Sequence, residues 1–194
     1  YRCRFCDLIF HPRSKDGDAT QIHYYRDDYF KMSSDDQLDN KRLLLYECVI
    51  QRIEKERKPG ELLDVGCGRG VFLRIARRRG WSVTGIDPSV DSIREAQKSL
   101  DGRVFCATLD TMGVQHAYDV ITLINVLDHM LDIRREIACA ASFLRDGGLL
   151  YLRFPNGLFH ASLLRLAGMT RLVTNIKSFV ILHQYAVTPK FTMR

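Results

Sequence analysis

Residues 61–70 read Glu61-Leu62-Leu63-Asp64-Val65-Gly66-Cys67-Gly68-Arg69-Gly70, a short apolar run that breaks into three alternate glycines. The run has the length and composition of a buried strand, and the glycines let the backbone turn tightly and approach a ligand. Behind them, Val71 to Arg79 carries a helical apolar pattern that Gly80 stops. Strand, glycine turn and helix in this order present free helix N–H groups at the carboxyl end of a strand, where open α/β sheets bind ligands.

The same unit recurs downstream. Trp81 to Ile86 is a second strand ending at Asp87-Pro88, and Ser89 caps a helix whose Val90, Ile93, Ala96 and Leu100 are expected inward, with Gly102 beyond its end. Arg103 to Thr108 reads as a third strand. Tyr118 to Asn125 reads as a fourth, nearly all apolar, as a strand covered on both faces must be. Asp132 opens a helix with Ile133, Ile137, Ala140 and Leu144 on one stripe, and Asp146-Gly147-Gly148 is expected to turn the chain into a fifth strand, Leu149 to Phe154. Upstream, Ser34 and Gln37 form a capping-box signal for a helix over 35–58, with Leu38, Leu45, Val49 and Ile53 on one face and Pro59-Gly60 closing it. Strands alternating with helices at this spacing predict an α/β fold, a Rossmann-like doubly wound sheet of parallel strands with helices on both faces.

With 194 residues, 46% hydrophobic and 27% charged, the chain has the size and composition of one globular domain with a core. Its longest apolar runs fall far short of the ~20 residues of a membrane helix, and Tyr1-Arg2-Cys3-Arg4 has no signal-peptide core. A soluble, cytoplasmic protein is expected. Apart from the first pair, Cys3 and Cys6, the six cysteines show no disulfide-framework spacing, which agrees with a reducing compartment. The net charge of +6 favours an anionic partner weakly, without the concentrated basic arms of nucleic-acid binders.

The turn Gly66-Cys67-Gly68-Arg69-Gly70 departs from the G-x-G-x-x-G spacing of nicotinamide enzymes. Asp64 beside it would repel a pyrophosphate. It suits a cationic group such as the ammonium of a methionine moiety, held directly or through water. Asp87, at the end of the second strand, is placed to accept hydrogen bonds from both hydroxyls of a ribose.

These stretches resemble the class I S-adenosylmethionine-dependent methyltransferases. Residues 61–70 look like their first motif and Val83-Thr84-Gly85-Ile86-Asp87 like the second. Tyr118-Asp119-Val120-Ile121 with Asn125-Val126-Leu127-Asp128-His129 resembles their fourth strand and its exit loop, and Leu144-Arg145-Asp146-Gly147-Gly148-Leu149-Leu150 the approach to the fifth. The resemblance covers about 60–157. It implies S-adenosyl-L-methionine as cofactor and S-adenosyl-L-homocysteine as product. Asp64, Gly66, Cys67, Gly68, Gly70, Asp87, Pro88, Thr108, Leu109 and Asn125 would line the cofactor, with Gly66 and Gly68 facing the methionine part, Asp87 the ribose, and Thr108 and Leu109 the adenine. The family's acidic residue near the adenine amine has no plain counterpart; either Asp110 takes that place or Ala107-Thr108-Leu109 recognises adenine through backbone groups.

His129 follows the fourth strand where the transferred methyl would lie. It is read as a general base toward an acceptor hydroxyl, as a loop residue shaping the pocket, or, with Asp128, as a metal ligand. No Asn-Pro-Pro-aromatic motif or Pro-Cys nucleophile occurs, so nucleic acid is an unlikely acceptor and a small molecule, a sugar or other metabolite, is expected. Arg74, Arg77, Arg78 and Arg79 are read as a solvated helix face, with phosphate binding the alternative. Other readings are a non-catalytic cofactor-binding or interaction domain and an NAD-dependent oxidoreductase.

Cys3-x-x-Cys6 has the spacing of half a zinc site, and neither His11 nor His23 completes a common pattern. Together with the aromatic stretch Tyr24 to Phe30 it resembles a bacterial methyltransferase subgroup with an N-terminal four-cysteine ribbon. On that resemblance residues 1–32 are a ribbon remnant, with zinc expected only if an upstream cysteine pair exists, and 33–194 form the methyltransferase domain. A further helix is read over 158–167. No strand pair is placed between Gly157 and Arg194, so the family's final antiparallel pair is expected to be missing. The chain is expected to be a piece of a longer one, with the fifth strand an exposed edge that favours self-association.

Overall fold

The computed structural model describes residues 9–10, 36–113, 117–130, 132–154 and 185–186. Cys3, Cys6, His11, His23, Ser34, residues 155–157, the expected helix over 158–167 and His183 lie outside them.

A long helix, α1 (Asp36–Glu56), leads into β2 (Glu61–Val65), α2 (Val71–Arg78), β3 (Ser82–Asp87), α3 (Val90–Gln97) and β4 (Val104–Cys106). β5 (Tyr118–Ile124), a single 3-10 turn at Leu127–His129, α4 (Ile133–Ser142) and β6 (Leu144–Arg153) follow. The five strands β2 to β6 form one sheet in the order β4-β3-β2-β5-β6, every neighbouring pair parallel. β2 lies at its centre. The chain winds outward from β2 to β4, then returns past β2 to β5, which leaves a switch of direction at the carboxyl ends of β2 and β5.

Strand parity divides the core between the two faces. Leu62 and Val120 pack with Ile50, Ile53, Phe72, Leu73 and Ile93, the faces of α1, α2 and α3, and with Trp81 just before β3. Leu63, Val65, Ile121 and Leu123 pack instead with Ile133 and Ala140 of α4 and with Phe143, which follows it. The sheet is therefore covered on both sides, as the near-continuous apolar reading of β2 and β5 requires. Ser89 caps α3 by accepting from the Ser92 N–H, and Asp132 caps α4 by accepting from Arg135.

Several expectations need correction. Val90 is 50% exposed and does not join the inward stripe of α3, which buries Ser92, Ile93 and Ala96. β4 stops at Cys106 because the Thr108 carbonyl accepts the N–H of Thr111 and Met112 and opens a turn. Asp146-Gly147-Gly148 is not a turn before the fifth strand. Pairing begins at Leu144 opposite Tyr118 and resumes at Leu149 opposite Val120, so residues 145–148 bulge out within β6, with Gly147 in the left-handed region at φ 74°. Arg145 reaches Asp119 at 2.8 Å beside this bulge, and Asp119 in turn accepts the Glu61 N–H at 2.8 Å. Both ends of the chain also hold strand: β1 (Ile9–Phe10) pairs antiparallel with β7 (Tyr185–Ala186) as a separate two-stranded sheet. No antiparallel strand joins the main sheet among the described residues.

β2, β3 and α2 meet closely at Gly85, whose backbone is extended but whose Cα faces α2. A Cβ there would come within 2.4 Å of Leu73 Cδ1 and 2.8 Å of Cys67 Sγ. Gly85→Ala is expected to destabilise the protein by about 1–3 kcal/mol through overpacking. Denaturant titration measures it; an unchanged midpoint would contradict this packing.

Candidate cofactor site

The three glycines each adopt positive φ, at 74°, 51° and 71° for Gly66, Gly68 and Gly70, but they meet different surroundings. A Cβ on Gly66 would strike Val126 at 2.6 Å, and one on Gly70 would strike Leu100 at 2.4 Å. These two let the turn press against the β5 exit loop and the end of α3. Gly68 has open space where its Cβ would be, so the tip of the turn offers a bare backbone surface to a ligand.

The turn is tied to β3. The N–H groups of Gly66 and Cys67 both donate to the Ile86 carbonyl, at 2.8 and 3.0 Å. Asp87 then binds two backbones at once: Oδ2 accepts the Gly68 N–H at 2.9 Å and Oδ1 accepts the Ser89 N–H at 2.9 Å. Burial pushes the Asp87 carboxyl above its usual range, while the N–H groups of Ser89 and Gly68 pull it back. Each oxygen keeps a lone pair for a ligand hydroxyl. Pro88 beside it is half-buried, and its carbonyl accepts from Cys106 Sγ at 3.5 Å.

Asp64 is only 4% exposed and lies on the α2 side of β2, by the same parity that places Leu62 there. The register sets it directly beside Thr122 of β5. Thr122 Oγ1 donates to Asp64 Oδ1 at 2.6 Å. Burial, opposed by this hydrogen bond and reinforced by the charge of Asp87, raises the Asp64 carboxyl to about 7. Burial first, then Asp64 and Asp87, pushes the Cys67 thiol well up. Cys67 is therefore a packed thiol of the turn, held in its neutral form.

At the exits of β5 and β6, Asn125 stands at φ 57°, donates its N–H to the Arg153 carbonyl at 2.8 Å, and accepts on Oδ1 from Arg153 Nη1. Its neighbour Val126 is the residue that fills the space above Gly66, so this exit loop and the glycine turn are packed together. His129 is half-buried in the 3-10 turn, with Nε2 4.0 Å from Oδ2 of the buried Asp128.

The expected adenine residues divide. Leu109 is buried in the core with Val65 and Ile86, whereas Thr108 is exposed and accepts and donates within its own turn to Thr111. Asp110 is exposed and pairs with Arg135 at 3.0 Å. The arginine face of α2 is largely engaged: Arg77 pairs with Asp101, Arg79 with Glu54, and Arg74 donates to the Arg69 carbonyl. No group of three His, Cys, Asp or Glu side chains is placed to hold a metal ion among the described residues. No described helix is long and apolar enough to cross a membrane.

Thr122 and Arg153 are the site residues that sequence reasoning missed. Thr122 had a signal, as a hydroxyl inside the apolar run Val120 to Ile124, but its partner becomes visible only with the strand register.

Residues 39–186, most of the 194-residue chain, match the family model described as Methyltransferase domain. The chain belongs to the methyltransferase-domain family. The ubiquinone biosynthesis O-methyltransferase of Nitrobacter winogradskyi is 33% identical over 96 residues, 46% of this chain and 36% of that protein. That of Idiomarina loihiensis is 25% identical over 143 residues, 69% of this chain and 58% of that protein. The chain thus spans well under two thirds of the length of these curated relatives. Among solved structures, the plantazolicin methyltransferase BpumL in complex with SAH superimposes with a TM-score of 0.69 at 18% identity, over 89% of this chain and 71% of that one. This likeness shows the same fold.

The raised Asp64 carboxyl carries a cost in stability with a defined sign. A native carboxyl that holds its proton to about 7 while the unfolded chain releases it near 3.8 makes the native state lose stability as pH rises between those values. Asp64→Asn is expected to melt higher than the parent above pH 7, with the difference shrinking towards pH 4. Melting midpoints of the ligand-free proteins measure this, and a gap independent of pH would contradict it.

Proposed function

We propose that this chain binds S-adenosyl-L-methionine at the Gly66 to Gly70 turn and transfers its methyl group to a hydroxyl oxygen of a small molecule. The observation that carries the reading is the Asp87 carboxylate, clamped between the Gly68 and Ser89 N–H groups next to the open face of Gly68. An acidic acceptor and bare backbone meet there at the switch point of the sheet. The donor set fits the cofactor: Asp87 for the ribose hydroxyls, the glycine backbone for the methionine carboxylate, and the buried Asp64 for its ammonium. The hydroxyl acceptor is supported by relatives named as O-methyltransferases.

Bound there, the cofactor supplies an electrophilic methyl on a sulfonium. Methyl transfer is an in-line displacement in which the sulfonium charge disappears, so alignment and exclusion of water count for most. The chain contributes the rigid turn, packed by Val126 and Leu100, that fixes one end of the ligand. It contributes His129, at the exit of β5, to take the hydroxyl proton as the oxygen attacks.

Asp87→Ala should weaken S-adenosyl-L-homocysteine binding at least tenfold, since each hydrogen bond to a charged acceptor is worth about 1.5–3 kcal/mol. The same product should raise the melting midpoint of the parent protein while NAD leaves it unchanged. Unchanged affinity in the variant, or equal protection by NAD, would reject the assignment.

His129→Ala should leave S-adenosyl-L-homocysteine affinity intact and lower turnover by roughly 100-fold, with loss of the acidic limb of the pH-rate profile. Retained turnover with the parental profile would remove His129 from proton transfer.

A further inference from the structure

We propose that Thr122 is a positioning residue for the cofactor: its hydroxyl holds the Asp64 carboxyl in place for a cationic group, whose loading expels the proton of that carboxyl. The inference deepens the cofactor reading above and rests on it.

The geometry places the two side chains together without choice. Asp64 and Thr122 are register partners on adjacent parallel strands, and parity turns both towards α2. Thr122 is 0% exposed. Its Oγ1 lies 2.6 Å from Asp64 Oδ1 and 3.4 Å from the Leu63 carbonyl. The single hydroxyl proton goes to the nearer acceptor, the Asp64 carboxyl oxygen. Its neighbours on this parity, Val120 and Ile124, pack in the apolar core, so Thr122 is a hydroxyl buried among apolar side chains with Asp64 as its nearer acceptor.

The other groups facing Asp64 oppose its charge. Asp87 approaches from β3 and repels it, and the Cys67 thiol stays neutral beside it. Asp64 forms no ion pair with a lysine or arginine among the described residues. The Thr122 hydroxyl alone favours the ionised form, against burial that disfavours it. A ligand ammonium beside Asp64 supplies the missing positive charge. The protonated carboxyl then gives its proton to solvent, and the pair becomes carboxylate and ammonium: one O–H bond breaks, one proton leaves, and no electrons move. Because the carboxyl titrates at about 7, this release falls at neutral pH.

The test titrates the full chain with S-adenosyl-L-homocysteine by calorimetry, from about pH 5.5 to about pH 8.5, in buffers of different ionisation heat. Wild type should bind more tightly as pH rises, level off above about 7, and release close to one proton per ligand on the acidic side. Thr122→Val should move this curve upward by about one pH unit, a tenfold weaker affinity at acidic pH that closes towards pH 8.5. Thr122→Ser should keep the parental curve, and Asp64→Asn should bind with no dependence on pH in this range. A Thr122→Val curve that overlays wild type, or wild-type binding without pH dependence or proton release, overturns the proposal while the cofactor reading stands. Absence of binding by wild type at every pH overturns the cofactor reading itself, and this inference with it. If Thr122→Val does not fold, Thr122→Ala is read in the same way, and a curve overlaying wild type overturns the proposal.

Discussion

A single carboxylate joins the two strand-to-helix turns on which the site is built. Asp87 accepts from Gly68 at the tip of the first turn and from Ser89 at the start of α3, so the loops after β2 and β3 cannot move independently. The rest follows from that tie. Gly66 must lie flat against Val126, Gly70 against Leu100, and Gly85 against Leu73, because no side chain fits where the turn is held. What remains open is the face of Gly68, and the constraint that leaves it open also sets an acidic acceptor beside it.

The second feature runs against stability. A protein without a ligand gains nothing from burying Asp64 in the middle of its sheet, since desolvation disfavours its charge and Asp87 repels it. The hydrogen bond from Thr122 recovers part of this loss. On the cofactor reading proposed above, this buried carboxyl, next to a glycine turn and one hydroxyl donor, awaits the cation of the ligand. Two apolar layers, one on either face of the sheet, pack around it.

The order of strands and helices was legible because each element repeats a physical pattern over enough residues. Leu62 and Leu63, adjacent in a short run, pack on opposite faces and justify reading that run as a strand covered twice. Ser89 and Asp132 were legible as caps because capping is local chemistry between residues three apart. The errors fall where distant contacts decide. Residues 145–148 look like a turn, yet the pairing of Leu144 with Tyr118 draws them into β6 as a bulge. Two-residue strands such as Ile9–Phe10 and Tyr185–Ala186 carry no periodicity and exist only through each other. Within the site, Asp64 and Asp87 stand at fixed spacing from the glycines and could be read from sequence. Thr122 and Arg153 act across strands, on Asp64 and Asn125, and their roles needed the register. Leu109, expected beside a ligand, is held in the core by its neighbours on β2 and β3.

The central claim is that a cofactor settles on the turn that Asp87 holds. Backbone amide NMR of the isotope-labelled protein, recorded as S-adenosyl-L-homocysteine is added, tests it most directly. The account predicts the largest shifts at Gly66, Cys67, Gly68, Asp87 and Ser89, with little change at Arg145 and Asp119 at the amino ends of their strands. Shifts centred elsewhere, with the Gly68 and Ser89 amides unmoved at saturation, would contradict it.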